Sequence, residues 1–283
     1  YIKGVRNTSE EFVLTQDNYY TKEADIKYMS VHQYLDFCGH MGVQGCEERA
    51  VKKLSGDWKE ETTNAMLIGS YVDSYFEGTL KEFIKEHPEV FTKTSVKSGK
   101  PELLSSYKMA DNMIARCEQD EFFIQTMSGE KQVIMTGYLF GCEWKIKMDS
   151  YLVGQAIVDL KTCADIHKMW RVQDYGYCGF IEYWGYTLQL AVYQKIVEIN
   201  TGKKLPCYIS AVTKEQYPEI CVAYIDQLTL DHALNEIEMN MASVLMVKNG
   251  EVEPTRCEHC DYCKSTKVLK GPINYQDLIM GGE

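Results

Sequence analysis

The stretch Glu143–Cys163, EWKIKMDSYLVGQAIVDLKTC, leaves this chain little freedom in how it folds. Trp144, Ile146 and Met148 alternate with Lys145, Lys147 and Asp149, and Val158 and Leu160 alternate with Asp159 and Lys161. A period of two predicts two short strands joined at Gly154. Lys145, Lys147 and Asp149 then share one face of the first strand, and Asp159 and Lys161 share one face of the second. If the strands pair, two carboxylates and a lysine converge on a surface whose reverse is apolar. Such a face makes a poor core wall but offers oxygen ligands to a divalent cation. A half-exposed hairpin with solvated charges fits the same alternation.

The rest of the chain supplies the elements around that hairpin. Residues 1–28 are polar and Tyr-rich and read as an irregular or strand-like lead-in. Ser30 is placed to cap a helix through Val31, Tyr34, Leu35 and Phe37, and helix resumes over Glu47–Leu54 after Gly39, Gly42 and Gly45. Residues 62–86 carry apolar side chains at helical spacing, and Gly69 and Gly78 within them imply close packing against another element. Pro88 ends this helix in a basic loop with Lys93, Lys97 and Lys100, and a further helix follows over Leu103–Cys117. A turn at Ser128–Gly129 leads into a strand. Beyond the hairpin come a short helix or loop over 165–171, a helix over Ile181–Ile199 with Trp184 and Ile199 on its apolar face, strands at Cys207–Val212 and Ile220–Ile225, and a helix over Leu230–Val247. His32 and His40 lack ligand-spaced partners and read as surface or packed histidines.

Near the C-terminus, Cys257, Cys260 and Cys263 lie in a polar segment that offers no core to pack into. Their Cys-x2-Cys-x2-Cys spacing is closer to iron-sulfur ligation than to the two separated pairs of a zinc ribbon, with zinc or unmetallated thiols as the alternatives. Cysteines 117, 142, 163, 178, 207 and 221 sit in apolar patterns and read as buried packing. Eleven cysteines and no secretory leader point to a reducing, cytoplasmic setting, and no apolar run approaches a membrane span. The 30 basic residues against 41 acidic ones give a net charge of -11, which argues against a protein that coats DNA and leaves room for one that engages it in a narrow channel.

Asp149 and, ten positions later, Asp159-Leu160-Lys161 resemble the signature of the PD-(D/E)XK nucleases, and the surrounding sequence looks like their RecB-like, exonuclease VIII-like (RecE-like) phage and prophage branch. The resemblance implies an α/β fold with a restriction-endonuclease-like core, a mixed central sheet flanked by helices, and a C-terminal cysteine patch. It implies one nuclease domain over 1–283, with a helical lead-in over 1–60, a core over 61–250 and a cysteine-rich segment over 251–283. The activity implied is metal-dependent hydrolysis of DNA, most simply by an exonuclease of recombination or repair, working with DNA and with a single-strand annealing protein, as a homo-oligomer in some relatives. Asp149, Asp159 and the main-chain carbonyl of Leu160 would hold Mg2+ or Mn2+, with Lys161 positioning or deprotonating the attacking water. The family's G-x-x-x-H histidine falls on Asp73, and Glu130 matches a carboxylate before the first core strand, so both join the metal-site set. Gln189 and Tyr193 match a motif that follows the catalytic lysine, on one helix face. Cys46, with Cys38 second, is the implied fourth ligand for the cysteine patch. A catalytically silent DNA-binding or scaffold protein of the same fold is the competing expectation.

Overall fold

Alternation over residues 133–163 does produce strands, but they divide differently from the reading above. The structure, a computed structural model, describes residues 12–91, 101–272 and 274–276, so the loop bearing Lys93, Lys97 and Lys100 lies outside the described residues. In chain order the elements are α1 (Lys22–Lys27), α2 (Val31–Cys38), α3 (Glu47–Ser55), α4 (Asn64–Glu77), α5 (Leu80–Glu86), α6 (Ser105–Glu118) and α7 (Glu121–Thr126). Strands β1 (Val133–Leu139), β2 (Cys142–Met148), β3 (Ser150–Leu152), β4 (Ala156–Cys163), β5 (Trp170–Val172) and β6 (Gly176–Cys178) follow. Then come α8 (Phe180–Tyr183), α9 (Tyr186–Thr201), β7 (Cys207–Thr213), β8 (Ile220–Ile225), α10 (Gln227–Lys248) and α11 (Asp261–Ser265).

The hairpin turning at Gly154, whose φ is 67°, is β3–β4, while β2 pairs with β1 around Phe140 and Gly141. Asp149 stands between β2 and β3. Its carboxylate accepts the Leu160 N–H just beyond the last β3–β4 pair, Ser150 with Val158, so a side chain replaces the ladder where the strand breaks. The central sheet runs β3-β4-β7-β8, with β3 and β8 antiparallel to their neighbours and β4 parallel to β7. Helices cover both faces. Ile157, Ile209 and Ala211 join the core formed with α2, α9 and α10, and Val158, Leu160 and Val212 join the core formed with α4, α6 and α7. The result is a mixed α/β sheet flanked by helices, as the resemblance implies.

Several local expectations give way to packing. Residues 22–27 form a helix rather than an irregular lead-in because Thr21 caps it, accepting the Ala24 N–H. The single helix expected over 62–86 is two. Gly78, at φ 83°, caps the end of α4, and a Cβ there would meet nothing within 4 Å, so its role is the left-handed turn and not close packing. Gly69 does pack closely: a Cβ there would meet Thr162 Oγ1 of β4 at 3.2 Å. Residues 121–126 are helical, residues 165–169 are loop as expected, and β5 and β6 just beyond them make a two-stranded ribbon. Gly185, at φ 71°, divides the helix expected over 181–199, which leaves Trp184 at 42% and Ile199 at 48% exposure instead of on the apolar face. Among the described residues no helix is long and apolar enough to cross a membrane. Cys117, Cys163, Cys178 and Cys207 are buried as expected, whereas Cys142 and Cys221 are half-buried.

Candidate functional site: an acidic cavity and a cysteine quartet

The two carboxylates and the lysine of the central stretch line one cavity of about 730 Å³. Asp73, Leu160, Gln189 and Tyr193 line it too. Asp149 reaches it from the β2–β3 break, its Oδ2 accepting the Leu160 N–H at 2.9 Å and its Oδ1 accepting the Gln132 amide at 3.3 Å. A strand residue's N–H and carbonyl point to the same side, so the Leu160 carbonyl faces the edge that Asp149 occupies. Asp159 and Lys161, two apart on β4, share a face, and the Lys161 ammonium is in ion-pair contact with Asp159 Oδ2. Asp159 Oδ1 accepts the Gln189 amide at 2.7 Å, and that amide also reaches the Tyr193 hydroxyl at 3.1 Å. Gln189 therefore holds Asp159, the residue that pairs with Lys161. The face is not solvated either: Asp159 is 2% exposed and Lys145 is 2% exposed, the latter paired with Asp25 at 2.7 Å.

Electrostatics inside the cavity are those of too many like charges in too little water. Burial, followed by repulsion from Asp159, raises the Asp149 carboxyl to about 7 despite the opposing Lys161 charge and the Leu160 N–H. Burial and then Asp149 push Asp73 well above the usual carboxylate range. A divalent cation relieves this repulsion directly, and the oxygen donor set of Asp73, Asp149, Asp159 and the Leu160 carbonyl suits a hard one such as Mg2+ or Mn2+. For Lys161, burial lowers the pKa, but Asp159, Tyr186 and Asp149 outweigh it and the net shift is upward, so the side chain stays an ammonium. Its ring neighbour is Tyr186, 4.7 Å below the amine. An ammonium there suits the positioning role offered for Lys161, while a cation bound beside Asp159 would offset the carboxylate charge and draw its pKa back toward the water-deprotonating one.

Glu130 does not join the set. Its backbone pairs with Tyr151 on both sides, its side chain is exposed, and it is absent from the cavity lining. Glu77, His32 and Gln132 are among the lining residues that the sequence reading did not place at the site. Glu77, whose carboxyl is raised by burial against the opposing pull of Lys147, lies four residues after Asp73 on α4, a spacing that could have flagged it. His32, an exposed residue of α2, also lines the cavity, where crowding by its walls and then the Lys161 and Lys53 charges hold its pKa below the usual histidine value. It thus sits with the carboxylates although nothing in its sequence neighbourhood pairs it with them. Gln132, at φ 53°, has no sequence signal at all.

The second cluster joins the two ends of the described chain. Cys46, Cys257, Cys260 and Cys263 place their sulfurs within 4.8 Å of one another, with Cys46 to Cys263 at 3.6 Å and Cys257 to Cys263 at 3.9 Å. Cys38 is exposed and outside the group. The Cys260 N–H points at Cys257 Sγ at 3.3 Å and the Cys263 N–H at Cys260 Sγ at 3.5 Å, donors that favour thiolate. Burial alone would raise the Cys257 thiol, but donation from the His259 and Cys260 N–H groups brings it down to about 7. Four thiolates on one tetrahedral ion with metal-sulfur bonds of about 2.3 Å lie about 3.8 Å apart. The quartet matches that span, and an iron-sulfur core would need the same four cysteines to open outward around it.

The model of a family described as a PDDEXK-like domain of unknown function matches residues 30–266. The chain is similar over nearly its whole length to the crystal structure of "Putative exonuclease" from Eubacterium rectale, with 52% identity, a TM-score of 0.89, and coverage of 95% of this chain and 98% of that one. The crystal structure of SSO0001 aligns over 80% of this chain and 95% of its own at 14% identity and a TM-score of 0.28, too remote to bear on the fold. No curated protein matches. By its match over most of its length, this chain belongs to the PDDEXK-like domain family.

Proposed function

We propose that the chain is a metal-dependent deoxyribonuclease, and specifically an exonuclease of the kind used in phage or prophage recombination or repair. The observation that supports this most is the convergence of Asp73, Asp149 and Asp159, two of them with raised carboxyl pKa values, around one cavity beside the Lys161 ammonium. Asp149 and Asp159, with the Leu160 carbonyl and Asp73, would hold Mg2+ or Mn2+, which supplies Lewis-acid stabilisation of charge on the scissile phosphate. Lys161, kept charged by Asp159, orients the attacking water and neutralises charge developing on the phosphoryl oxygens. Gln189 fixes the Asp159 carboxylate, and Tyr193 braces Gln189. The cysteine quartet binds a structural metal, and because none of its sulfurs lines the acidic cavity it takes no part in hydrolysis. Exonuclease mode is supported by the name of the Eubacterium rectale relative.

Incubating the purified protein with end-labelled linear DNA and with covalently closed circular DNA, with and without Mg2+, tests the reading. Mg2+-dependent shortening of the linear substrate alone is the expected result. Cleavage of the circle would replace exonuclease with endonuclease, and inertness toward both with retained DNA affinity would establish the silent binding protein.

A further inference from the structure

Of the lysines lining the cavity, Lys53, Lys145 and Lys161 each hold a carboxylate partner, at 2.7 Å for the first two and in close contact for the third. Lys59 and Lys147 line the same cavity, and among the described residues no carboxylate lies in ion-pair contact with either; Lys147 is the one beside aromatic rings. Glu77 feels its charge only from farther away. What Lys147 has instead is aromatic: its amine stands 4.5 Å from the centre of the Tyr20 ring and 5.4 Å from that of Tyr19. Tyr20 is 73% exposed and lines the cavity.

An exposed tyrosine on a loose segment would carry little meaning, but this one is held from both sides. Tyr19, 7% exposed, packs edge-on against it at 4.9 Å and 81°. The Lys145 amine sits 4.5 Å over the Tyr19 ring and donates to the Tyr19 carbonyl at 2.5 Å, while Thr21, on the other side, caps α1. A rigid aromatic face next to an unpaired ammonium is the pairing that single-stranded nucleic acid binds: the ring takes a base and the cation takes a phosphate. Lys147 also precedes Asp149 by two residues, so the phosphate it holds would be a near neighbour of the scissile one.

We propose that Tyr20 and Lys147 form a subsite for one unpaired nucleotide next to the scissile phosphate, the Tyr20 ring stacking on its base and the Lys147 ammonium meeting its phosphate. The subsite rests on the nuclease reading above and adds to it a preference for frayed or single-stranded ends, with tolerance of sequence because every base offers a π-face. A base still paired in duplex has no face free to stack.

The test is fluorescence anisotropy of a labelled short oligodeoxythymidylate and of a fully abasic strand of equal length, measured in Ca2+ with each strand shown intact afterwards. Tyr20→Ala should weaken the thymidylate about 10-fold or more and leave the abasic strand unchanged, with Tyr20→Trp restoring the affinity. Lys147→Gln should reduce the salt slope by about 0.7 on both strands. Tyr20 is too exposed for its removal to unfold the chain, and an unchanged thermal midpoint in Tyr20→Ala confirms that. Equal thymidylate affinity in wild type and Tyr20→Ala, or an equal loss on both strands, would overturn the subsite alone. A wild-type protein that neither binds nor cleaves DNA would overturn the nuclease reading and the subsite together.

Discussion

Gln189 shows how one buried amide ties the site together, because its loss would free Asp159 without touching any bond that reacts. Gln189→Ala should therefore weaken activation by Mg2+ or Mn2+ about 10–100-fold while leaving the rate at saturating metal largely intact, which a metal titration of the cleavage rate would show. A second expectation follows from Asp149. In the fold this carboxyl keeps its proton up to about 7, whereas unfolded it would lose it near 4, so between those values the native chain binds more protons than the unfolded one. Through Asp149 the stability of the metal-free protein falls as pH rises through that window and levels off above it; Asp73 adds to the trend, and His32, whose pKa the fold lowers, opposes it below the free histidine value. Thermal midpoints of EDTA-treated protein at about pH 5 and about pH 8 would show the loss, and Mg2+ should raise the midpoint more at the higher pH. A midpoint that rises with pH in EDTA would contradict the assignment of that repulsion. At this scale the sequence was most legible where two residues share a strand: Asp159 and Lys161 had to face one way. It was least legible where partners come from distant segments, as with His32 and Gln132, or where a charge such as Lys145 is paid for by burial against Asp25.

Among the elements, β4 carries most of the weight, since it presents Asp159 and Lys161 to one layer and Val158 and Leu160 to the other. That duality was readable from the alternation, and so was the apolar reverse of the charged face. What alternation could not show was where the ladder stops. A strand period runs straight through Met148, Asp149 and Ser150, and only the Leu160 N–H bonded to Asp149 reveals the break. Trp144 on β2 shows the cost of the surrounding core: it is fully buried and its indole N–H donates to the Leu139 carbonyl at 3.0 Å. Trp144→Ala should destabilise the chain by about 3–5 kcal/mol, read as a lower urea midpoint at unchanged slope. A loss below about 1 kcal/mol would mean that β1–β2 packs more loosely than described. Glycines divide the long helices for a reason propensity cannot supply, since Gly78 and Gly185 adopt left-handed conformations that turn the chain.

Taken as a whole molecule, the chain is closed by its cysteines, with Cys46 and Cys263 separated by 217 residues. A cross-link of that span restricts the unfolded chain by about 5 kcal/mol on the loop-closure estimate. With the proposed ion bound to the quartet, chelating it or replacing Cys263 with Ser should lower the thermal midpoint substantially and leave DNA chemistry in the surviving folded fraction unchanged. Elemental analysis identifies the ion, with zinc alone marking a single tetrahedral site and iron with acid-labile sulfide marking a cluster. The three clustered cysteines were plain in the sequence, while Cys46 came only from the family pattern, because a contact across the whole chain leaves no local trace. The central claim is that Asp159 belongs to a cation site that hydrolyses DNA, and the Mg2+ dependence of the cleavage rate in wild type and in Asp159→Asn tests it most directly. We predict a Mg2+-activated wild type and a folded variant slower by about 10³-fold or more, corresponding to the several kcal/mol that metal-assisted charge stabilisation supplies. Equal rates in the two proteins, or undiminished cleavage by wild type in EDTA, would contradict it.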